Sequence, residues 1–125
     1  MIPFDKMDGY IWIDGVYKKW KESKVHVLNH GLHYGSCVFE GIRIYDGKIF
    51  KLKEHIDRLY RSADLLDLKI PFQKSEINDV LYLLTKKQNV INGYIRPVAW
   101  RGSEKMAISA IDSKTHLAIA TWAWP

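Results

Sequence analysis

The chain has 125 residues, with 19 Lys and Arg against 14 Asp and Glu, so its net charge is +5 at pH 7. Apolar residues make up 47% and charged residues 26%, which excludes a disordered tail, a fibrous repeat and a low-complexity linker because there is ample surface for a core. A chain of this length is expected to form one domain. The positive charge favours anionic ligands, and phosphates, carboxylates and nucleic acids all qualify.

Localisation is predicted from three features. The sequence contains no run of about 18 uncharged apolar residues, so no membrane-spanning helix is predicted. The first residues lack the basic and then apolar layout of a secretory signal. Cys37 is the single cysteine, so it has no partner for an internal disulfide. We therefore expect a cytoplasmic protein that contacts no membrane.

Two hairpins are predicted in the first half of the chain. In each, an Asp-Gly dipeptide, which supports the positive φ values of a tight turn, separates two β-prone runs. The paired runs are Tyr10–Ile13 with Val16–Lys18, and Cys37–Tyr45 with Lys48–Phe50.

Two amphipathic helices follow the hairpins. The range Leu52–Leu66 places its apolar residues on one stripe at helical spacing, and Pro71 ends the segment after it. Ser75 is the predicted N-cap of a second helix, Glu76–Lys87, which carries another apolar stripe.

Two further strands are predicted near the end, Tyr94–Arg101 and His116–Trp122. Pro97 removes a backbone donor, so we expect its strand to lie at a sheet edge or to be interrupted. Helices grouped between hairpins and strands predict an α+β fold of two layers, a mostly antiparallel sheet with flanking helices.

Alternation along the second hairpin separates two sets of side chains. Phe39 and Gly41 share one face, while Glu40 lies on the other face among apolar residues. A glycine in mid-strand allows a ligand or another backbone to approach closely, and a bulge or bend is the equal alternative.

Two arginines are candidates for anion binding. Arg58 lies beside the apolar stripe of the first helix, where either an ion pair with Glu54 or a phosphate contact is open. Arg96 shares a strand face with Tyr94 and other bulky residues, so its charge needs a partner. That partner is either a structural carboxylate such as Glu40 or a substrate carboxylate.

Metal and covalent chemistry have little support in the sequence. His30 and His33 are spaced for one helical face, but no third ligand stands at a recognisable spacing, so we expect local hydrogen bonds and no metal. No phosphate loop, dinucleotide-binding glycine motif or nucleophile elbow occurs. No lysine stands in an apolar setting that would lower its pKa for Schiff-base chemistry.

Three motifs together resemble a known family. His33–Arg43, Glu54–Leu59 and Tyr94–Pro97 occur in the order of the N-terminal domain of fold-type IV pyridoxal-phosphate aminotransferases, and the resemblance covers Tyr10–Pro125. The amino-acid sequence of Gly35–Arg43 is similar to the version of this motif in the branched-chain amino acid type. D-amino-acid aminotransferases and aminodeoxychorismate lyases, which carry other versions of this motif, are the alternatives within the family.

The resemblance implies a cofactor and a set of site residues. It implies pyridoxal 5'-phosphate with its phosphate held by Arg58, and recognition of a co-substrate's second carboxylate by Arg96. It also implies that Tyr34 enters the site of a neighbouring subunit. The substrate-pocket residues that it implies are Phe39, Gly41, Tyr94, Arg96, Tyr34 and Trp124.

The resemblance further implies transamination of leucine, isoleucine or valine with 2-oxoglutarate, giving glutamate and branched 2-oxo acids, by a homodimer or higher homo-oligomer. The family's Schiff-base lysine lies in a second, larger domain. We therefore expect residues 1–125 to be the N-terminal small domain, without a catalytic residue of its own and inactive alone. Met106, between Lys105 and Ala107, departs from the glycine-flanked methionine of many members.

Composition alone also permits a small basic nucleic-acid-binding module. Trp12, Trp20 and Trp100 would then stack on bases while lysines contact phosphates. Against this, the aromatic residues are scattered between apparent core faces and no RNP-like, KH-like or zinc-finger pattern occurs, so we expect no nucleic acid partner.

Overall fold

A computed structural model describes residues 2–109 and 112–125, and within those ranges it contains seven strands and three α-helices. The strands are β1 Tyr10–Ile13, β2 Val16–Lys19, β3 Cys37–Phe39, β4 Ile42–Tyr45, β5 Lys48–Ile49, β6 Gly93–Arg101 and β7 Thr115–Ala123. The helices are α1 His30–Tyr34, α2 Leu52–Leu65 and α3 Lys74–Lys87. Short 3-10 helices occur at Phe4–Lys6 and Trp20–Glu22. No helix in the described ranges is long and apolar enough to cross a membrane.

All described strands join one antiparallel sheet in the order β2-β1-β7-β6-β4-β5, and β3 pairs with β6 beyond the end of β4. The predicted α+β class is confirmed. Both hairpins form as expected, with Asp14 and Asp46 at positive φ in their turns. The predicted strand over Cys37–Tyr45 is divided, because Glu40 and Gly41 separate β3 from β4.

The core lies between one face of the sheet and the two long helices, and we name this side the helix face. Alternate residues of the strands point into it and meet the apolar stripes of α2 and α3. Its fully buried members include Ile42, Ile44, Ile95, Leu117 and Ile119 from the sheet and Ile56, Leu59, Ile77, Leu81 and Leu84 from the helices. The opposite side of the sheet, which we name the open face, carries the other half of each alternation.

Pro97 lies in the middle of the sheet, so the expectation of an edge strand is wrong. It pairs with Ile119 of β7, and its carbonyl accepts a hydrogen bond of 3.1 Å from the backbone N of Glu40. The N and the carbonyl of one strand residue point to the same side, so the missing donor of Pro97 faces the break between β3 and β4. The ladder is interrupted in the neighbouring strand, and β6 itself is continuous.

The start of α3 also differs from the prediction. The helix begins at Lys74 with Gln73 as its N-cap, and Ser75 lies inside the first turn. The carboxylate of Glu76 accepts a hydrogen bond of 3.1 Å from the backbone N of Gln73. This reach of a glutamate back to the cap satisfies a donor that would otherwise lack a partner, and it moves the helix start to the glutamine.

Two leucines of α2 provide a test of the packing. Leu59 is fully buried against the sheet, whereas Leu65 is 80% exposed. We expect Leu59→Ala to lower the free energy of unfolding by about 2–5 kcal/mol, because it removes buried contacts and leaves a cavity. Leu65→Ala should change it by less than about 0.5 kcal/mol. Urea denaturation measures both, and equal losses would contradict the described packing of α2.

Candidate functional site

An aromatic and cationic cluster lies on the open face at the β3–β4 break. The guanidinium carbon of Arg96 lies 4.1 Å from the ring centroid of Phe39, a cation–π contact. Its Nε and Nη2 donate to the Tyr94 hydroxyl oxygen at 3.1 and 2.6 Å. We name this group the open-face cluster, and its members are Phe39, Gly41, Tyr94, Arg96, Trp122 and Trp124.

Gly41 makes room for the Tyr94 ring. A Cβ at position 41 would lie 3.1 Å from two ring carbons of Tyr94 and closer still to its hydroxyl oxygen. The close approach that the sequence predicts at this glycine is thus made by a side chain from β6. The alternative of a break is also correct, since the strand is interrupted at Glu40 and Gly41.

Two tryptophans complete the cluster. The ring centroids of Trp122 and Trp124 each lie 5.0 Å from that of Tyr94. The Trp124 carbonyl accepts a hydrogen bond of 2.9 Å from Nη2 of Arg43, which fixes the end of β7 to β4. Trp122 is absent from the predicted site residues, although its alternation with Trp124 near the end of β7 is a readable signal.

Glu40 points the other way, to the helix face, where it is only 5% exposed. It accepts hydrogen bonds from Nε and Nη2 of Arg58 at 2.8 and 2.7 Å, and it contacts Nδ1 of His55 at 2.6 Å. Burial raises the pKa of Glu40, but the hydrogen bonds from Arg58 and His55 outweigh it and hold the pKa below its ordinary value. The hydrogen bond to Glu40 likewise raises the pKa of Arg58.

This network corrects two sequence hypotheses. Arg58 pairs with Glu40, and not with Glu54 one turn away on its own helix. Glu40 therefore does not serve as the structural carboxylate of Arg96, because its side chain lies on the opposite face of the sheet. The sequence already contained a sign of the true pairing: a carboxylate on a core face needs donors, and His55 and Arg58 are spaced i, i+3 on one helix.

Arg58 keeps donors that can reach a ligand. A guanidinium has five N–H groups, and two of those in Arg58 go to Glu40. Its side chain remains 57% exposed. The arginine is thus held in a defined orientation while part of its fork faces solvent, which suits an oxyanion such as phosphate.

The ring of Tyr34 contacts His30 rather than a member of the open-face cluster. It ends α1, is 48% exposed, and its ring centroid lies 4.6 Å from that of His30. His30 donates from Nε2 to the Ala107 carbonyl at 3.0 Å and contacts the Ser36 hydroxyl at 2.6 Å, and His33 contacts the Val27 carbonyl at 2.8 Å. Among the described residues, no group of three His, Cys, Asp or Glu side chains could hold a metal ion.

A cavity of about 480 Å³ adjoins the cluster through Arg96. The open faces of β1, β6 and β7 form its floor, and the segment from Ser23 to Leu32 forms its wall. Its lining is largely apolar and includes Ile11, Val25, Leu32, Val98 and Ala118. The Arg96 guanidinium therefore lies between an aromatic group and an apolar space.

The positions of the three tryptophans argue against the hypothesis of a nucleic-acid-binding module, which requires their rings to stack on bases. Trp12 and Trp20 are 4% and 6% exposed, so neither can stack on a base. Trp100 is partly buried, and its ring stacks on that of His116 with centroids 5.6 Å apart.

The chain matches one protein family. Residues 37–125 match the family model of class IV amino-transferases, and the chain belongs to this family. The branched-chain-amino-acid aminotransferases of Pseudomonas aeruginosa and Escherichia coli are 43% and 35% identical to it. The aligned regions cover 94% and 95% of this chain and 39% and 40% of those relatives. The chain thus spans about 40% of the length of the curated relatives that it matches.

A solved relative has the same fold. The branched-chain amino acid aminotransferase of T.th., in its crystal structure with pyridoxamine 5'-phosphate, has a TM-score of 0.90 and 36% identity. The superposition covers 95% of this chain and 41% of that one. Other crystal structures of the same T.th. enzyme are complexes with 4-methylvaleric acid and with N-(5'-phosphopyridoxyl)-L-glutamate.

The acid sensitivity of the fold tests the Glu40 network. Because the folded-state pKa of Glu40 lies below its ordinary 4.5, its contribution to stability is present above that pH and is lost as the pH falls through the folded value. We expect Glu40→Gln to remove this part of the acid-induced loss, measured as the free energy of unfolding between about pH 3 and about pH 6. Glu54→Gln, at an exposed position in the first turn of α2, should leave the profile unchanged. The reverse result would restore the Arg58–Glu54 pairing.

Proposed function

We propose that the complete protein is a pyridoxal-phosphate-dependent aminotransferase that transfers the amino group of leucine, isoleucine or valine to 2-oxoglutarate. Residues 1–125 form its N-terminal small domain. The observation that carries this proposal is the stretch Phe39–Glu40–Gly41. Its middle residue orients Arg58 on the helix face, and its outer residues contact Arg96 and Tyr94 on the open face.

The chain's own residues fit the phosphate of the cofactor at Arg58. The guanidinium is anchored by Glu40 and exposes its remaining donors, which is the arrangement that a bidentate phosphate contact needs. When bound, pyridoxal phosphate supplies the electron sink for loss of the substrate's Cα proton, and the protein supplies grip and orientation. In this domain the grip on the phosphate is the task of Arg58.

Arg96 fits the carboxylate of a dicarboxylate co-substrate. It is partly buried, and no carboxylate among the described residues forms an ion pair with it. A cation in this setting favours an anionic ligand. Phe39, Tyr94 and Trp124 give the same site an apolar wall that admits a branched side chain. Apolar pockets separate side chains that differ by one methylene only about 10- to 200-fold, so we expect leucine, isoleucine and valine all to be accepted.

The exposure of Tyr34 supports the oligomeric state that we propose for the complete protein. Tyr34 is exposed and its ring packs on His30 rather than on the open-face cluster, which supports a role in the site of a second subunit and hence a homodimer or a higher homo-oligomer. The single exposed Cys37 suits a reducing cytoplasm. We expect residues 1–125 alone to have no transaminase activity, because every lysine in the described ranges is exposed and none lies in the apolar setting that Schiff-base chemistry requires.

The visible absorbance spectrum of the full-length protein tests the function. We expect a band from bound cofactor that disappears when L-leucine is added. A band that persists with L-leucine and responds to a D-amino acid would move the substrate to the D-amino-acid aminotransferases, and a response only to aminodeoxychorismate would move it to the lyases. No band after reconstitution with pyridoxal phosphate would overturn the cofactor assignment.

Two arginines of α2 test the phosphate role. We expect Arg58→Ala in the full-length protein to weaken cofactor binding by about 10- to 100-fold, since a charged hydrogen bond contributes about 1.5–3 kcal/mol. Arg61→Ala, an exposed position one turn further along the helix, should leave the affinity unchanged. Titration of the apoprotein with pyridoxal phosphate, followed by absorbance, measures both. An unchanged affinity in Arg58→Ala would remove Arg58 from the phosphate role.

A further inference from the structure

His116, near the start of β7, lies between two carboxylates from separate parts of the chain. Its Nδ1 is 2.6 Å from Oδ2 of Asp14, in the turn between β1 and β2. Its Nε2 is 2.7 Å from Oε2 of Glu104, in the connection between β6 and β7. The His116 side chain is 24% exposed, so water does not fully screen these contacts.

The two contacts together specify the protonation state of the ring. An ionised carboxylate only accepts hydrogen bonds, and a neutral imidazole has a single N–H donor. Both ring nitrogens of His116 face carboxylate oxygens, so both must donate, and only the imidazolium can do this. Burial lowers the pKa of His116, but the hydrogen bonds to Asp14 and Glu104 outweigh it and raise the pKa above its ordinary 6.5.

Each carboxylate is held by a second hydrogen bond. The other oxygen of Asp14 accepts from the backbone N of Leu117 at 2.9 Å, and that of Glu104 accepts from the backbone N of Lys114 at 2.8 Å. Burial raises the pKa of Glu104, but the bonds from Lys114 and His116 outweigh it, so this carboxylate stays ionised to lower pH than usual.

Gly102 shows that the backbone is shaped around the His116–Glu104 contact. A Cβ at this position would lie 2.6 Å from Oε1 of Glu104 and closer still to Nε2 of His116. The remaining charged or titratable side chains around the recess beside His116 belong to the sheet edge and to the segment before α1; they are Lys18, Lys24 and His26.

The same connection holds α1. His30 donates from its backbone N to the Gly102 carbonyl at 2.9 Å and from Nε2 to the Ala107 carbonyl at 3.0 Å. The Tyr34 ring packs on His30. Any change that loosens the connection therefore also loosens the support of the helix that carries Tyr34.

We propose that His116 is a positioning residue that acts as a pH-dependent clamp: its imidazolium ties the β6–β7 connection to the β1–β2 turn, and loss of one proton to solvent releases one of the two carboxylates. The basis is that a neutral ring can donate to Asp14 or to Glu104, and not to both. The clamp does not rest on the proposed aminotransferase function, since it includes neither Arg58 nor a member of the open-face cluster.

The direction of the pH dependence follows from linkage. The folded-state pKa of His116 is raised, so its contribution to stability is fully present below about pH 6.5 and is lost as the pH rises through the folded value. For each unit by which the pKa of His116 in the folded state exceeds that in the open state, the equilibrium constant for opening rises at most about tenfold between low and high pH.

Amide hydrogen exchange of the intact protein, read by mass spectrometry on peptides within residues 102–109 and 112–116, measures the clamp. After correction for the intrinsic exchange rate, we expect protection of these peptides to fall as the pH rises from about 5.5 to about 9. Exchange of the imidazole C2 hydrogen gives the pKa of His116 in the same samples, and we expect it to lie above 6.5.

Glu104→Gln is the decisive variant. A glutamine can accept from the backbone N of Lys114 through its oxygen and donate to the unprotonated Nε2 of a neutral His116 through its amide. We expect protection in this variant to be independent of pH and the pKa of His116 to be lower than in the wild type. Asp112→Asn removes an exposed ion pair with Lys105 in the same connection without touching His116, so it should keep the wild-type pH dependence.

Three results would overturn the proposal. They are a pKa of His116 at or below 6.5, protection in the wild type that does not change with pH, and a Glu104→Gln variant with the wild-type pH profile. A Glu104→Gln variant whose protection at about pH 5.5 is already as low as that of the wild type at about pH 9 would show that Glu104 is only a structural contact, which also contradicts a clamp set by protonation.

Discussion

The pairing of β6 is the constraint on which the rest of this structure depends. It pairs with β7 over nine residues and with β4 and β3 on its other side. Alternation along it sends Ile95 and Ala99 into the core and Tyr94 and Arg96 to the open face. A register shift of one residue would exchange these sets, because side chains alternate with a period of two. The strand that forms the middle of the core thus also places the guanidinium and the aromatic ring of the candidate site.

At the break opposite Pro97, neighbouring residues point to opposite faces of the sheet and contact functional side chains on each face. Since Pro97 offers no backbone donor there, the neighbouring strand is free to break at Glu40 and Gly41 without a lost ladder bond. Glu40 can then point inward, where its burial demands donors, and Arg58 and His55 supply them. Phe39 and Gly41 point outward and determine where Arg96 and Tyr94 lie. One three-residue stretch therefore orients Arg58 on one side of the sheet and contacts Arg96 and Tyr94 on the other.

Two histidines, His30 and His116, support neighbouring parts of the fold through different kinds of hydrogen-bond partner. His30 contacts a carbonyl and a hydroxyl, and a hydroxyl can donate or accept, so a neutral ring satisfies both contacts. His116 contacts two carboxylates, which only accept. The identity of the partners thus decides whether both contacts of a histidine require the imidazolium, and those of His116 do. Both histidines contact the connection between β6 and β7.

The sequence by itself determined the hairpins at the two Asp-Gly turns, the helix predicted over Leu52–Leu66 and found over Leu52–Leu65, the strands that became β6 and β7, and which side chains share a strand face. These features depend on local spacing, with periods of 2 and 3.6 that can be read within a few residues. Only the tertiary structure decided that Arg58 pairs with Glu40, that Pro97 occupies a central strand, and that His116 meets Asp14 across 102 positions. The physical reason is that these contacts join elements brought together by sheet pairing and core burial, and local spacing contains no information about which distant partner will complete a charge or a ladder.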